Sequence, residues 1–195
     1  MASLNSKDNN LNGLVLVGGK SSRMGSDKAF LNYHGTPQIE HITTLLAKFC
    51  NKVYVSAKHK TDYPNYQVIE DVFPFESPLN GILSAFNHTP NQAWLVVACD
   101  MPFIDGRSIE HLLTHRKPNK LATCYKNKSE KPEPLFCVWE TSCYPELVVF
   151  QQAGNFSPRS FLMSNDVQMI PSGNNKVLLN VNTLTEFNEI KGNNS

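Results

Sequence analysis

Leu14-Val15-Leu16-Val17-Gly18-Gly19-Lys20-Ser21-Ser22-Arg23-Met24-Gly25-Ser26-Asp27-Lys28 decides how this chain is read. The first four residues are an unbroken apolar run that ends at two glycines. Such a run reads as a strand buried on both faces. In the turn that follows, three glycines let backbone N–H groups approach an anion, and Ser21 and Ser22 add donors. Lys20, Arg23 and Lys28 supply positive charge. A solvated turn between strand and helix is the plain alternative. Such turns rarely join three glycines and three cations directly behind a buried strand, so a phosphate loop is expected. It is not a Walker A loop, because Leu14 stands where that motif needs its first glycine. It is not a dinucleotide fingerprint, because no two glycines here stand two apart.

Working outward, apolar runs alternate with amphipathic segments. Strands are expected at residues 14–17, 53–56, 66–69, 93–98, 121–125, 135–139 and 167–170. Pro37 opens a helical pattern through Ile39, Ile42, Leu45, Leu46 and Phe49, and proline suits a first helical turn. Further helices are expected at 79–86, 109–115, 144–152 and 184–190. This alternation implies βαβ units. The expected fold class is α/β, a three-layer sandwich with a mainly parallel sheet, Rossmann-like in architecture but with its own phosphate loop. Ligands in such sheets bind beyond the carboxyl ends of the strands. The first strand ends at Gly18-Gly19 and the fourth at Cys99-Asp100, so both should open onto one crevice.

Bulk properties exclude several classes. The 195 residues are 41% hydrophobic and 18% charged, which suits a folded chain with a real core. Net charge is +1 with no concentrated basic stretch, so no nucleic-acid partner is expected. The lysines at 117, 120, 126, 128 and 131 read as solvated loop charges. Five cysteines without a C-x-x-C pair fit neither a zinc site nor a disulfide framework. No apolar run reaches the ~18 residues needed to cross a bilayer, and the polar start is no signal peptide. No membrane partner and a cytoplasmic location are expected. Residues 1–11 read as a flexible arm, 12–190 as one domain, and 191–195 as a tail.

The ordered set of motifs resembles one family. Leu16-Val17-Gly18-Gly19-x-Ser21-x-Arg23-Met24-Gly25-x-Asp27-Lys28-Ala29-x-Leu31, with Gly35-x-Pro37 after it, is similar to the signature loop of the molybdenum cofactor guanylyltransferases. These sit within a wider nucleotidyltransferase group that includes sugar-phosphate and methylerythritol-phosphate cytidylyl enzymes. Glu70-Asp71 followed by Pro78-Leu79-x-Gly81-Ile82, then Cys99-Asp100-Met101-Pro102-Phe103-Ile104, Pro134-Leu135-Phe136 and Asn180-Val181-Asn182-Thr183 resemble its later elements. The matches run from 13 to 187. Two positions depart from the pattern. Val17 stands where alanine is usual, which implies a tighter base pocket, and Ser77 stands where glycine usually precedes Pro-Leu.

The resemblance implies transfer of GMP from GTP to a molybdopterin-type acceptor, giving a guanine dinucleotide and pyrophosphate. It implies Mg²⁺ as cofactor and other cofactor-assembly proteins as partners. Leu16, Val17, Gly18, Gly19, Ser21, Arg23, Lys28, Asp71 and Asp100 are the expected nucleotide-binding residues. Lys28, Arg23 and Asp100 are expected to be catalytic, and Asp100 to hold the metal. Asn180 and Asn182 are candidates for the acceptor, as amides on one side of a strand, though a turn into the last helix also explains them. Chemistry supports these roles. Both reactants are anions that must be neutralised and held in line. Mg²⁺ often takes only one or two carboxylates.

Alternatives stay open for several residues. Asp100 also reads as a helix or turn cap, and Asp71 as a plain loop residue. Asp105 reads as a helix cap. His111 and His115 have the four-residue spacing of a zinc pair, but Leu112 stands where the glutamate of a zincin would fall. The nearest rival activity is cytidylyl transfer to the same pterin or to a sugar or polyol phosphate. A rival of another class is a non-catalytic nucleotide-binding module.

Overall fold

A computed structural model describes residues 10–18 and 28–192. Gly19, Ser21 and Arg23 therefore lie outside the described residues, as does most of the glycine-rich loop.

Seven strands among the described residues form one sheet. They are β1 (Leu11–Leu16), β2 (Val53–Ala57), β3 (Val68–Glu70), β4 (Ala93–Ala98), β5 (Ala122–Lys126), β6 (Pro132–Trp139) and β7 (Gln168–Pro171). The order is β3-β2-β1-β4-β6-β5-β7. Only β6 runs antiparallel to its neighbours. The expected mainly parallel α/β sheet is what forms. β5 returns through a tight turn at Asn127, whose Oδ1 accepts from the Ser129 and Lys131 amides. Lys126, Lys128 and Lys131, three of the lysines read as solvated loop charges, lie at this turn.

The helices are α1 (Gln38–Leu46), α2 (Pro78–His88), α3 (Gly106–Thr114), α4 (Cys143–Gln152), α5 (Pro158–Ser164) and α6 (Leu184–Gly192). Ile39, Ile42 and Leu46 of α1 share a packed cluster with Val15, Leu95 and Val97 on one sheet face, as do Ile109 and Leu112 of α3. Ile82, Leu83 and Phe86 of α2 cover the other face with Leu147, Phe161 and Leu162, against Leu14, Trp94 and Val96. Every residue of β4 is buried because helices cover both its sides. These are the three expected layers.

Three differences from the sequence reading have physical causes. β1 starts at Leu11, so the last residue of the expected arm is a fully buried strand residue. α6 runs to Gly192, past the expected start of the tail. Helix α5 was not expected. It carries a cap signal that is visible in retrospect: Ser157 Oγ accepts from Ser160 N at 3.2 Å, and Pro158 fills the first turn.

Gly81 on α2 sets how closely that helix approaches the sheet. A Cβ there would lie 2.2 Å from Ser56 Oγ and 2.8 Å from Leu16 Cδ2. Alanine gains up to about 1 kcal/mol of helix propensity. Overpacking typically costs about 1–3 kcal/mol, and here the helix cannot retreat without opening its packed face. Clash should win. The expected result for Gly81→Ala is a lower midpoint in thermal unfolding; an unchanged or raised midpoint would show that α2 has room to move.

Candidate active site

β1 and β4 are adjacent and parallel, with Leu16 paired to Ala98. Beyond that pair Cys99 N donates to Leu16 O at 3.0 Å. The segment after β1 and Asp100 after β4 thus leave the sheet side by side. This is where strand order reverses, because β1 leads through α1 to β2 on one side while β4 lies on the other. Val17 is buried and its amide donates to Ser56 O at 3.3 Å. Gly18 has φ 133°, a conformation that side chains resist.

Lys28 opens a short 3-10 turn, Lys28–Phe30. Its Nζ donates to Asn182 Oδ1. Asp100 Oδ1 is buried and has no hydrogen-bond partner among the described residues. Burial pushes the Asp100 carboxyl above its ordinary range, and the positive charge of Lys28 offsets part of that rise. A buried, unsatisfied carboxylate oxygen costs free energy unless a cation completes it. Asp100 does not cap the helix that follows it. The cap of α3 is Asp105, whose Oδ1 accepts from Ser108 N at 2.8 Å while Ser108 Oγ accepts from Asp105 N at 3.1 Å.

Asp71 follows β3 directly. Its amide donates to Ala57 O at 3.0 Å, and its Oδ1 accepts from Ser56 Oγ at 2.7 Å. Burial raises its carboxyl, and the serine bond works against that rise. It borders the β1–β2 side of the crevice, through Ser56. Ser77, the departure from glycine, caps α2: its Oγ accepts from Leu79 N and donates to Phe156 O.

Of the two readings of Asn180 and Asn182, a strand or a turn into the last helix, the strand does not form. Residues 179–183 join no ladder. The chain instead crosses the carboxyl edge of the sheet, where Val181 N donates to Asp100 O at 2.7 Å. Val181 is fully buried, and the exposed Asn180 and Asn182 flank it. Among the described residues, Asn182 alone of the two meets another expected site residue, Lys28. Its amide donates to Glu186 Oε2 at 2.7 Å while Thr183 Oγ1 accepts from Glu186 N at 3.1 Å. The segment is therefore also a cap for α6.

Glu133 and Arg159 escaped the sequence reading. Glu133 is buried; its Oε1 accepts from Leu135 N at 3.1 Å and its Oε2 from Arg159 Nη2 at 3.0 Å. Arg159 Nε also donates to Pro132 O at 3.1 Å. Burial raises the Glu133 carboxyl, and the charge of Asp100 adds to the rise, so the two carboxylates share one field. Glu133 directly precedes the Pro134-Leu135-Phe136 element and could have been found there. Arg159 lay in the unexpected helix. His111 and His115 serve other partners: His111 Nδ1 lies 3.0 Å from Tyr125 Oη, and His115 Nδ1 lies 2.8 Å from His111 O.

A lysine on the segment that follows β1 and a buried carboxylate just after β4, coupled by charge at a topological switch point, mark the ligand edge of this α/β fold. Residues 13–168 match the model of the MobA-like NTP transferase domain, and the chain belongs to that family of nucleotidyltransferases. A molybdenum cofactor biosynthesis bifunctional protein of Synechocystis is 35% identical over 185 residues, 92% of this chain. The match covers 53% of that protein, so the chain spans about half its length. A molybdenum cofactor guanylyltransferase of Pseudomonas fluorescens is 30% identical over 87% of this chain and 88% of its own. The fold matches the solved structure of molybdopterin-guanine dinucleotide biosynthesis protein A from Archaeoglobus fulgidus, with TM-score 0.75 and 23% identity, covering 93% of this chain and 99% of that one. Among the described residues, no helix is long and apolar enough to cross a membrane.

Proposed function

We propose that this chain transfers GMP from GTP to the phosphate of a molybdopterin-type acceptor, releasing pyrophosphate. The observation that carries the reading is the cation Lys28, tied to Asn182 and acting by its charge on the buried Asp100 carboxyl just after β4. Names borne by the relatives point the same way. In the reaction an acceptor phosphate oxygen forms a bond to the α-phosphorus, and the bond to the bridging α–β oxygen breaks. Lys28 is held by Asn182 so that its charge stays fixed as negative charge moves onto the departing pyrophosphate. Asp100 is the residue that would hold Mg²⁺, and its bare Oδ1 fits a hard cation. Bound there, the ion would neutralise phosphate oxygens. In this reading Leu16, Val17 and Gly18 approach the base with backbone groups, and Asp71 lines the same side. Gly19, Ser21 and Arg23 complete the phosphate loop. Asn180 and Asn182 face the acceptor. The five cysteines are buried and unbridged, which suits the proposed cytoplasmic setting.

GTP is the expected preferred donor over CTP, ATP and UTP. A panel of the four triphosphates, with and without Mg²⁺, reads this in thermal unfolding. A ligand present at a hundred times its dissociation constant adds about 2.7 kcal/mol of stability. Competition kinetics with the four donors then orders them as substrates. Preference for CTP would move the protein to the cytidylyl reading. Stabilisation by GTP without any turnover would leave a binding module.

A further inference from the structure

Beside the two main cores lies a small third cluster: Tyr33, Val181 and Phe187 are buried, with Leu31 and Phe103 against them. Three segments distant in sequence meet in it, and each carries one group of the candidate site. Lys28 precedes Tyr33 on the first segment, Asp100 precedes Phe103 on the second, and Asn182 follows Val181 on the third. The Tyr33 and Phe187 rings lie 4.8 Å apart, and Phe187 stacks on Phe103 at 5.1 Å. His34 Nε2, next along the first segment, lies 2.8 Å from Pro102 O on the second.

Within this cluster the Val181 backbone is held from both sides. Its N–H donates to Asp100 O at 2.7 Å, and its carbonyl accepts from Tyr33 Oη at 3.4 Å. We propose that Tyr33 is a positioning residue for the transfer reaction: its hydroxyl fixes the register of Val181–Asn182 against Asp100, and through Asn182 it aims Lys28. This rests on the transferase reading above. The aromatic stack supplies the attraction but is tolerant of sliding, because dispersion between rings varies gently with offset. A hydrogen bond to one named carbonyl is not tolerant in that way. Burial pushes the Tyr33 hydroxyl up to about 12, with the nearby Asp100 charge adding to the rise. It therefore stays protonated and keeps donating throughout the neutral range. Slippage at Val181 displaces Asn182 Oδ1 one residue on, and misplacing a reacting group by ~1 Å can cost ~10²-fold in rate. The family-domain match ends at residue 168, so Tyr33 ties the matched part of the chain to a segment outside it.

Tyr33→Phe in the full chain keeps the ring and removes only the hydroxyl. Its kcat should fall roughly three- to tenfold, the size of one neutral hydrogen bond, with nucleotide KM nearly unchanged and the melting temperature lowered by about 2–4 °C. In an Asn182→Ala background the same change should add little, because Tyr33 acts through that segment. Amide hydrogen exchange at Val181 supplies a readout independent of activity, and should quicken roughly three- to tenfold in ligand-free Tyr33→Phe. Unaltered exchange at Val181 overturns the proposal, as do kinetic losses that simply multiply in the double variant. A wild-type chain that turns over no triphosphate sinks the transferase reading alone, and the exchange measurement still decides the Tyr33 contact.

Discussion

Lys28→Ala is expected to lower kcat by ~10²–10³ while leaving the apparent KM for nucleotide nearly unchanged, the effect of removing one preorganised charge from a transition state. Negative charge is already present on the bound triphosphate. It grows on the α-phosphoryl oxygens and the bridging oxygen as the bond to pyrophosphate breaks. A cation fixed at that point is therefore worth more in the transition state than in the ground state. Fixation is visible here: Lys28 Nζ is tied to Asn182 Oδ1, and its charge acts on the Asp100 carboxyl. Lys28→Arg should also be impaired. A planar guanidinium is a poor substitute for a compact ammonium that bonds one amide oxygen. Lys20 makes the control, since its neighbourhood matches no required position of the family pattern. Lys20→Ala should cost much less. Steady-state kinetics on the three variants tests the division. Equal damage from Lys20→Ala, or a loss carried by KM alone, would show that the loop cations act as one diffuse anion trap.

The fold was legible in the sequence because its signals are local. A run such as Ala93–Ala98 needs no partner to be read as a doubly buried strand, and the βαβ alternation then leaves few topologies. The position of Asp100 followed from the same logic, since the residue after a central parallel strand must face the ligand edge. What the sequence concealed depends on long-range meeting. Lys28 and Asn182 are 154 residues apart and touch only because the chain crosses the sheet edge after β7. Period-two spacing suggested a strand at 180–182, yet the backbone partner there is the single Asp100 carbonyl. Arg159 came into view only with α5, whose short run of apolar residues gave too few turns for a periodicity to show, and with it the pairing of Glu133. Nothing in the sequence singled out Tyr33, because its hydrogen bond and its ring contact with Phe187 both reach a segment about 150 positions away.

Asp100→Asn is expected to separate stability from activity. Turnover should fall on the order of 10³-fold, equivalent to the several kcal/mol that a bound divalent ion contributes to phosphoryl chemistry. Asparagine keeps the shape of the side chain but offers a cation a neutral oxygen. Stabilisation by Mg²⁺ with nucleotide should shrink in parallel. The ligand-free variant, in contrast, should melt at the same temperature as the parent or higher. Burial raises the Asp100 carboxyl in the folded chain, so folding favours its protonated form. The stability this group contributes is thus fully present below the unfolded carboxyl value of about 3.9, and is lost as pH rises through the raised folded value. At neutral pH the bare carboxylate is a cost, and asparagine removes it. The stability gap between variant and parent should therefore close as the pH is lowered and Asp100 takes up its proton. Proton and metal also compete for Oδ1, so apparent Mg²⁺ affinity of the parent should weaken over that same acid range. Lys28 loses a favourable charge in the variant, but it is only half-buried and keeps its bond to Asn182, so solvent absorbs most of that change. Turnover near normal at saturating Mg²⁺ would remove Asp100 from the metal site. A markedly lower melting temperature for the ligand-free variant would mean that its charge holds the fold together, with Lys28 as the true partner.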